Sequence, residues 1–96
     1  MHHHLSINTV RSDALFASVL QRSDAPGAGE VRGAIARAVR DWGSRGCAAR
    51  VAQEFGDHPE LAVVRMRWAR TLVDEVFGAA RPVAAHPSRR ASTLAA

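Results

Sequence analysis

Apolar residues recur at helical spacing in four stretches of this chain, and none alternates with the period of two that marks a strand. Over 12–22, Leu15, Phe16, Val19 and Leu20 share one side, with Ser12 as the expected N-cap and Asp13 at the positive end of the helix dipole. "SDAPGAG" then interrupts the pattern with Pro26, Gly27 and Gly29. A second helix is expected over 28–45, where Val31, Ala34, Ile35, Ala38, Val39 and Trp42 fall on one arc. Gly43 or Gly46 is placed to take a left-handed cap at its end. A short third helix, 47–56, gathers Cys47, Ala48, Val51, Ala52 and Phe55 on one face and stops at Gly56. The fourth and longest, 58–78, starts with Pro59 in its first turn, and Asp57 with Glu60 resembles a capping box. Leu61, Trp68 and Leu72 form its apolar stripe, which Ala62, Met66, Ala69, Val73, Val76 and Phe77 widen to about half the circumference.

The pattern predicts an all-α fold: a small bundle of about four helices in one domain, 12–78. A flexible leader, 1–11, precedes it, and a disordered basic tail, 79–96, follows. The tail has two prolines and few large apolar residues to bury. His2, His3 and His4 read either as a tag remnant or as part of a native leader. A domain this small gains only a few kcal/mol from one core, and its single cysteine excludes an internal disulfide. The wide apolar face of the fourth helix then predicts a homodimer, with Arg65, Trp68, Leu61, Leu72 and Val76 as the candidate interface.

Charge refines this picture. The 96-residue chain has a sequence pI of about 11.3, which points toward nucleic acid. Its distribution does not. Between Ser12 and Phe77 nine arginines face nine acids, and the excess of +4 comes from Arg11, Arg81, Arg89 and Arg90 in the flanks. All thirteen basic residues are arginine, which fits GC-rich coding as well as it fits guanidinium chemistry. No stretch approaches the roughly 18–20 apolar residues of a membrane span. "MHHHLSINTV" lacks the apolar core of a secretory signal, so a cytoplasmic location is expected.

One motif competes with the protein-binding reading. Residues 48–67 resemble the helix-turn-helix of DNA-binding regulators: Ala52 and Gly56 stand four apart, as a small residue and a turn glycine do there, beside Val51. The resemblance implies DNA reading by the second helix. This chain departs from the pattern at Asp57, where an apolar residue is usual, and at Arg65, where the second helix packs inward. Asp57 and Glu60 also sit where DNA contacts belong, and duplex DNA is densely anionic. The expectation is therefore a non-catalytic binding or regulatory module acting through contacts with itself and an unknown protein partner, with DNA binding as the alternative.

Arg65 falls within the apolar arc, between Leu72 and Val76. Two readings stand even: the guanidinium snorkels to water, or it pairs with a carboxylate of another helix or subunit. Arg32, Arg37 and Arg40 are read as a solvated face, with contact to nucleic acid or an acidic partner as the alternative. Trp42 is expected in the core, and Cys47 as a small buried hydrophobe. "RRAS" at 89–92 resembles a basophilic kinase site. No nucleophile motif, phosphate-cradling loop or metal-ligand spacing is present, so no enzyme activity, cofactor or metal is expected.

Overall fold

Ser6, not Ser12, opens the first helix. Its backbone is extended, and its Oγ accepts a hydrogen bond from the Thr9 amide at 3.0 Å. The computed structural model describes residues 6–78. The three N-terminal histidines, the 79–96 segment and its "RRAS" lie outside the described residues. Helix α1 (Ile7–Ala17) thus includes residues 7–11, which the sequence reading placed in a leader, and stops short of residue 22. Both serines are good capping types. Ser6 wins because Ser12 faces inward among the helices and is 5% exposed. At the other end Ser18 turns extended, and its Oγ donates to the Leu15 carbonyl at 2.6 Å. Val19, expected on the buried side, is therefore past the helix and 79% exposed.

A single 3₁₀ turn, Arg22–Asp24, follows, with Asp24 accepting from the Gln21 amide at 2.8 Å. Helix α2 (Ala28–Asp57) begins where Glu30 accepts from the Gly27 amide at 2.9 Å. Helix α3 (Pro59–Phe77) completes the fold. The described residues are thus all-helical, with three α-helices where the sequence predicts four. The expected gap between 28–45 and 47–56 is a kink inside α2. Gly43 sits there at φ 69°, ψ 169°, a conformation essentially reserved for glycine but not the left-handed helical cap. Gly46 stays helical for a different reason. A Cβ there would lie 2.8 Å from the Trp42 Cβ, so the two sides of the kink close only over a glycine.

The core lies where the three helices meet. Leu15, Val31, Cys47 and Val73 are fully buried. Ala14, Ala38, Ala62 and Ala69, at most 2% exposed, are the small residues that allow close approach. Phe16 stacks on Phe55 with ring centroids 6.2 Å apart, joining α1 to the far end of α2. Trp42 is not a core residue. It is 36% exposed, and the Arg50 guanidinium lies 3.9 Å over its ring.

Candidate functional site

The α2–α3 corner consists of one non-helical residue, His58. Its carbonyl accepts from the Ala62 amide at 2.9 Å, and its side chain makes no cap hydrogen bond. Asp57 belongs to α2, so the expected Asp57–Glu60 capping box does not form. Gly56 does not end a helix either: among the described glycines only Gly43 and Gly78 have positive φ. The corner is shorter than the three- to four-residue turn of helix-turn-helix motifs.

Within the chain Arg65 makes no hydrogen bond to a carboxylate among the described residues; its hydrogen bonds go to backbone carbonyls. It is half-buried against the C-terminal end of α1 and donates to backbone carbonyls there. Its Nε reaches the Phe16 oxygen at 2.9 Å, and one terminal nitrogen reaches Ser18 at 3.0 Å and Leu20 at 2.9 Å, with Leu15 at 3.5 Å. The last carbonyls of a helix lack intrahelical donors and carry the negative end of its dipole, so a guanidinium is well matched to them. Helix α1 has no basic residue of its own in its last turn, and Arg65 supplies the charge from α3. Burial pulls the guanidinium below its ordinary pKa, with the Glu54 carboxylate acting in the opposite sense. It remains charged at any physiological pH. Its carbon lies 4.9 Å from the Trp68 ring centroid, within reach of a cation–π contact.

The expected interface residues divide. Leu61 is 70% exposed and Val64 47% exposed, and with half-buried Trp68 they run along the outside of α3. A shallow groove follows this line. Gln21, Arg22, Leu61, Val64, Arg65 and Trp68 form one part of it. Arg67, Thr71, Leu72 and Glu75 continue it. Val76 lies apart, half-buried, and its carbonyl accepts from Arg32 at 3.4 Å. Val64 and Arg22 were missed by sequence reasoning. Val64 could have been found, since it is spaced three from Leu61 and four from Trp68. Arg22 could not, because only the path of the chain after α1 brings it to α3.

No protein-family model, curated protein or solved structure matches this chain. Its own geometry is the guide to function.

The arginines of α2 do not act as one solvated set. Arg32 lies 5.5 Å from the Phe77 ring centroid and Arg11 4.0 Å, so both guanidinia bind the end of α3. Arg37 lines a pocket with Val19 and Trp42, and Arg40 is exposed. Cys47 is fully buried, and its thiol donates weakly to the Ala38 carbonyl at 3.6 Å. Burial, and then the nearby Asp13 carboxylate, push its pKa up, against the pull of Arg50. A thiol held protonated is a poor nucleophile. Among the described residues no three His, Cys, Asp or Glu side chains come together as a metal site, and no helix is long and apolar enough to cross a membrane.

A second polar site, not foreseen from sequence, lies between α1 and α3. Ser12 and Asp13 face Arg70 and Asp74 across a cleft of about 220 Å³. Burial pushes the Asp13 carboxyl above the usual carboxylate range, while the Arg70 charge acts the other way. Arg70 and Asp74 are one helical turn apart, but their sequence spacing says nothing about which part of α1 they meet.

Proposed function

We propose that this protein is a non-catalytic helical binding module of regulatory type that works through protein–protein contacts, with a second copy of itself as the primary partner. The outer face of α3 carries this reading: Leu61, Val64 and Trp68 present apolar surface to solvent on a domain whose core is already closed by the opposite face. An antiparallel pairing of two α3 helices about a twofold axis at Trp68 suits the sequence of this face. Val64 then meets Leu72 of the second copy. Glu75 of the second copy arrives at the end of the groove that holds Leu61 and Arg22. The pairing is self-complementary in shape class and in charge, as a closed dimer requires.

The DNA-binding alternative draws less support. It needs a turn between α2 and α3, a glycine at position 56 in a turn conformation, and an uncharged or basic start to the second helix. The corner has one non-helical residue, a helical Gly56, and Asp57 with Glu60. Binding partners beyond the second copy would use the apolar surface near Val19 and Trp42, which the pairing leaves open.

Light scattering coupled to size exclusion tests the proposal. The full chain is expected at dimer mass, and Leu61→Glu combined with Val64→Glu is expected at monomer mass with unchanged helical circular dichroism. Both side chains are largely exposed in a single chain, so folding is spared. A monomer at low micromolar concentration for the unaltered chain rejects the dimer.

A further inference from the structure

The cleft between α1 and α3 holds polar groups that the fold itself leaves without partners. Ser12 is the buried polar residue of the core region, 5% exposed, and it lines this cleft. Its hydroxyl has no hydrogen-bond partner among the described residues, although the similar Ser18 hydroxyl bonds a helix carbonyl. Asp13, half-buried beside it, likewise accepts no hydrogen bond among the described residues. Burial raises the pKa of its carboxyl, and the Arg70 charge offsets only part of this. Buried polar groups are almost always satisfied, and the exceptions concentrate where something else binds. The other walls are not short of partners in the same way. Asn8 donates to the Gly78 carbonyl at 3.1 Å and accepts from Arg11 at 3.0 Å, while the Ser6 and Thr9 hydroxyls bond each other at 3.0 Å.

We infer that this cleft binds a small zwitterion of the α-amino acid type, its ammonium group held by Asp13, Asp74 and the Ser12 hydroxyl, and its carboxylate by Arg70. Three acceptors answer the three N–H bonds of a primary ammonium. One guanidinium answers a carboxylate, which it binds in a two-pronged geometry. Ser12 is the buried member of the lining and Arg70 an exposed one, so the ammonium end enters deepest. The size fits: about 220 Å³ falls below the roughly 300–1,000 Å³ of pockets for drug-sized ligands. Arg70 and Asp74 lie on the flank of α3 away from Leu61 and Trp68, so the site stands whether or not the helix pairs with a second copy.

Nitrogen–proton correlation spectra of the full chain, titrated with each of the proteinogenic amino acids, provide the test. At least one is expected to shift the amides of Ser12, Asp13, Arg70 and Asp74 saturably. Asp13→Asn and Arg70→Gln are each expected to weaken that binding about tenfold or more, the effect of removing one charged hydrogen-bonding partner. Methylammonium and acetate, the two halves of the ligand, are expected to bind more weakly than the intact zwitterion. Ser12→Ala, a small change within the helix, tests the ammonium pocket separately and is expected to weaken the amino acid and methylammonium alike while sparing acetate. The inference is overturned by any of three results. These are no saturable shift up to ~10 mM, well above the Kd of even a millimolar site; equal binding by one half alone; or affinity unchanged in both charge variants. Retained helical circular dichroism in each variant separates lost binding from lost folding.

Discussion

Helix α3 is joined to the rest of the protein in two ways, and the two joints are built on different physics. Its start meets α2 at His58, one residue of irregular chain with no side-chain cap. Proline, a carbonyl bond and covalent continuity suffice there. Its middle meets the end of α1 through Arg65, whose guanidinium serves carbonyls at residues 15, 16, 18 and 20 from more than forty positions away in sequence. The corner is local and cheap to order. The Arg65 joint must close a long loop of chain, which only a strong contact repays. The contrast locates the specificity of the fold at the side chain, not at the turn.

Arg65→Ala breaks this contrast most directly. It takes the Arg65 donor from the Phe16, Ser18 and Leu20 carbonyls at and just past the end of α1, while Leu15 keeps its bonds from Ser18, and it opens space beside Phe16 and Trp68. A loss of about 2–4 kcal/mol is expected, in line with a half-buried charge that makes several hydrogen bonds. Urea unfolding followed by circular dichroism measures it. Arg65→Lys is the sharper comparison. Lysine keeps the charge but lacks the planar fork that spans separate carbonyls, so it should recover only part of the loss. Full recovery by lysine would mean that charge alone matters. A loss no larger than that of an ordinary surface change would remove Arg65 from the architecture.

The same contrast explains what could be read from sequence. An all-helical fold follows from apolar spacing, and α3 falls within one residue of its expected limits at each end because Pro59 and Gly78 mark them locally. Arg65 announces itself as a charge inside an apolar arc. Its partners do not, because a backbone carbonyl has no residue identity to recognise. The telling sign is elsewhere: α1 ends without a glycine or a basic residue, so its carbonyls need a donor from outside. The start of α1 was misplaced for a related reason. Ser6 and Ser12 are equivalent as local signals, and only the inward direction of Ser12 decides between them. The kink of α2 was placed near the correct glycines, yet the division of labour between Gly43 and Gly46 depends on the contact with Trp42. The polar cleft was invisible, since Ser12–Asp13 and Arg70–Asp74 look like ordinary helix-surface residues until the helices are packed.

Pro59→Ala probes the other joint. The proline has a favourable fixed φ in the first turn and sacrifices no intrahelical hydrogen bond there. Its replacement frees the unfolded chain and should cost about 0.4–1 kcal/mol. The comparison predicts that Arg65→Ala and Pro59→Ala rank in that order, and that their effects add, because the two joints share no partner. Equal costs would erase the distinction between a specified and an unspecified joint. Strong non-additivity would show that the corner and the Arg65 contact form as one unit.

Asp13→Asn gives the smallest effect and reverses its sign. Asp13 lies on the same α1–α3 seam as Arg65, but its charge is half-buried and accepts no hydrogen bond among the described residues, where the Arg65 guanidinium donates to several backbone carbonyls. Because burial raises its pKa in the folded protein above the unfolded value, the native state holds the proton more tightly. The destabilisation is therefore complete above the folded pKa and is relieved as the pH falls through it toward the usual carboxylate value of about 3.9. Asparagine removes that penalty at neutral pH. A gain below about 0.5 kcal/mol is expected, because solvent still reaches the group and Arg70 already offsets part of the cost. The gain should shrink as the pH falls into the acid range, measured as the difference in melting temperature between variant and parent across a pH series. A variant that stabilises the empty protein while weakening amino-acid binding would show why a half-buried carboxylate is kept on this seam. A destabilised Asp13→Asn protein would instead make Asp13 a structural partner of Arg70, and the cleft an ordinary part of the packing.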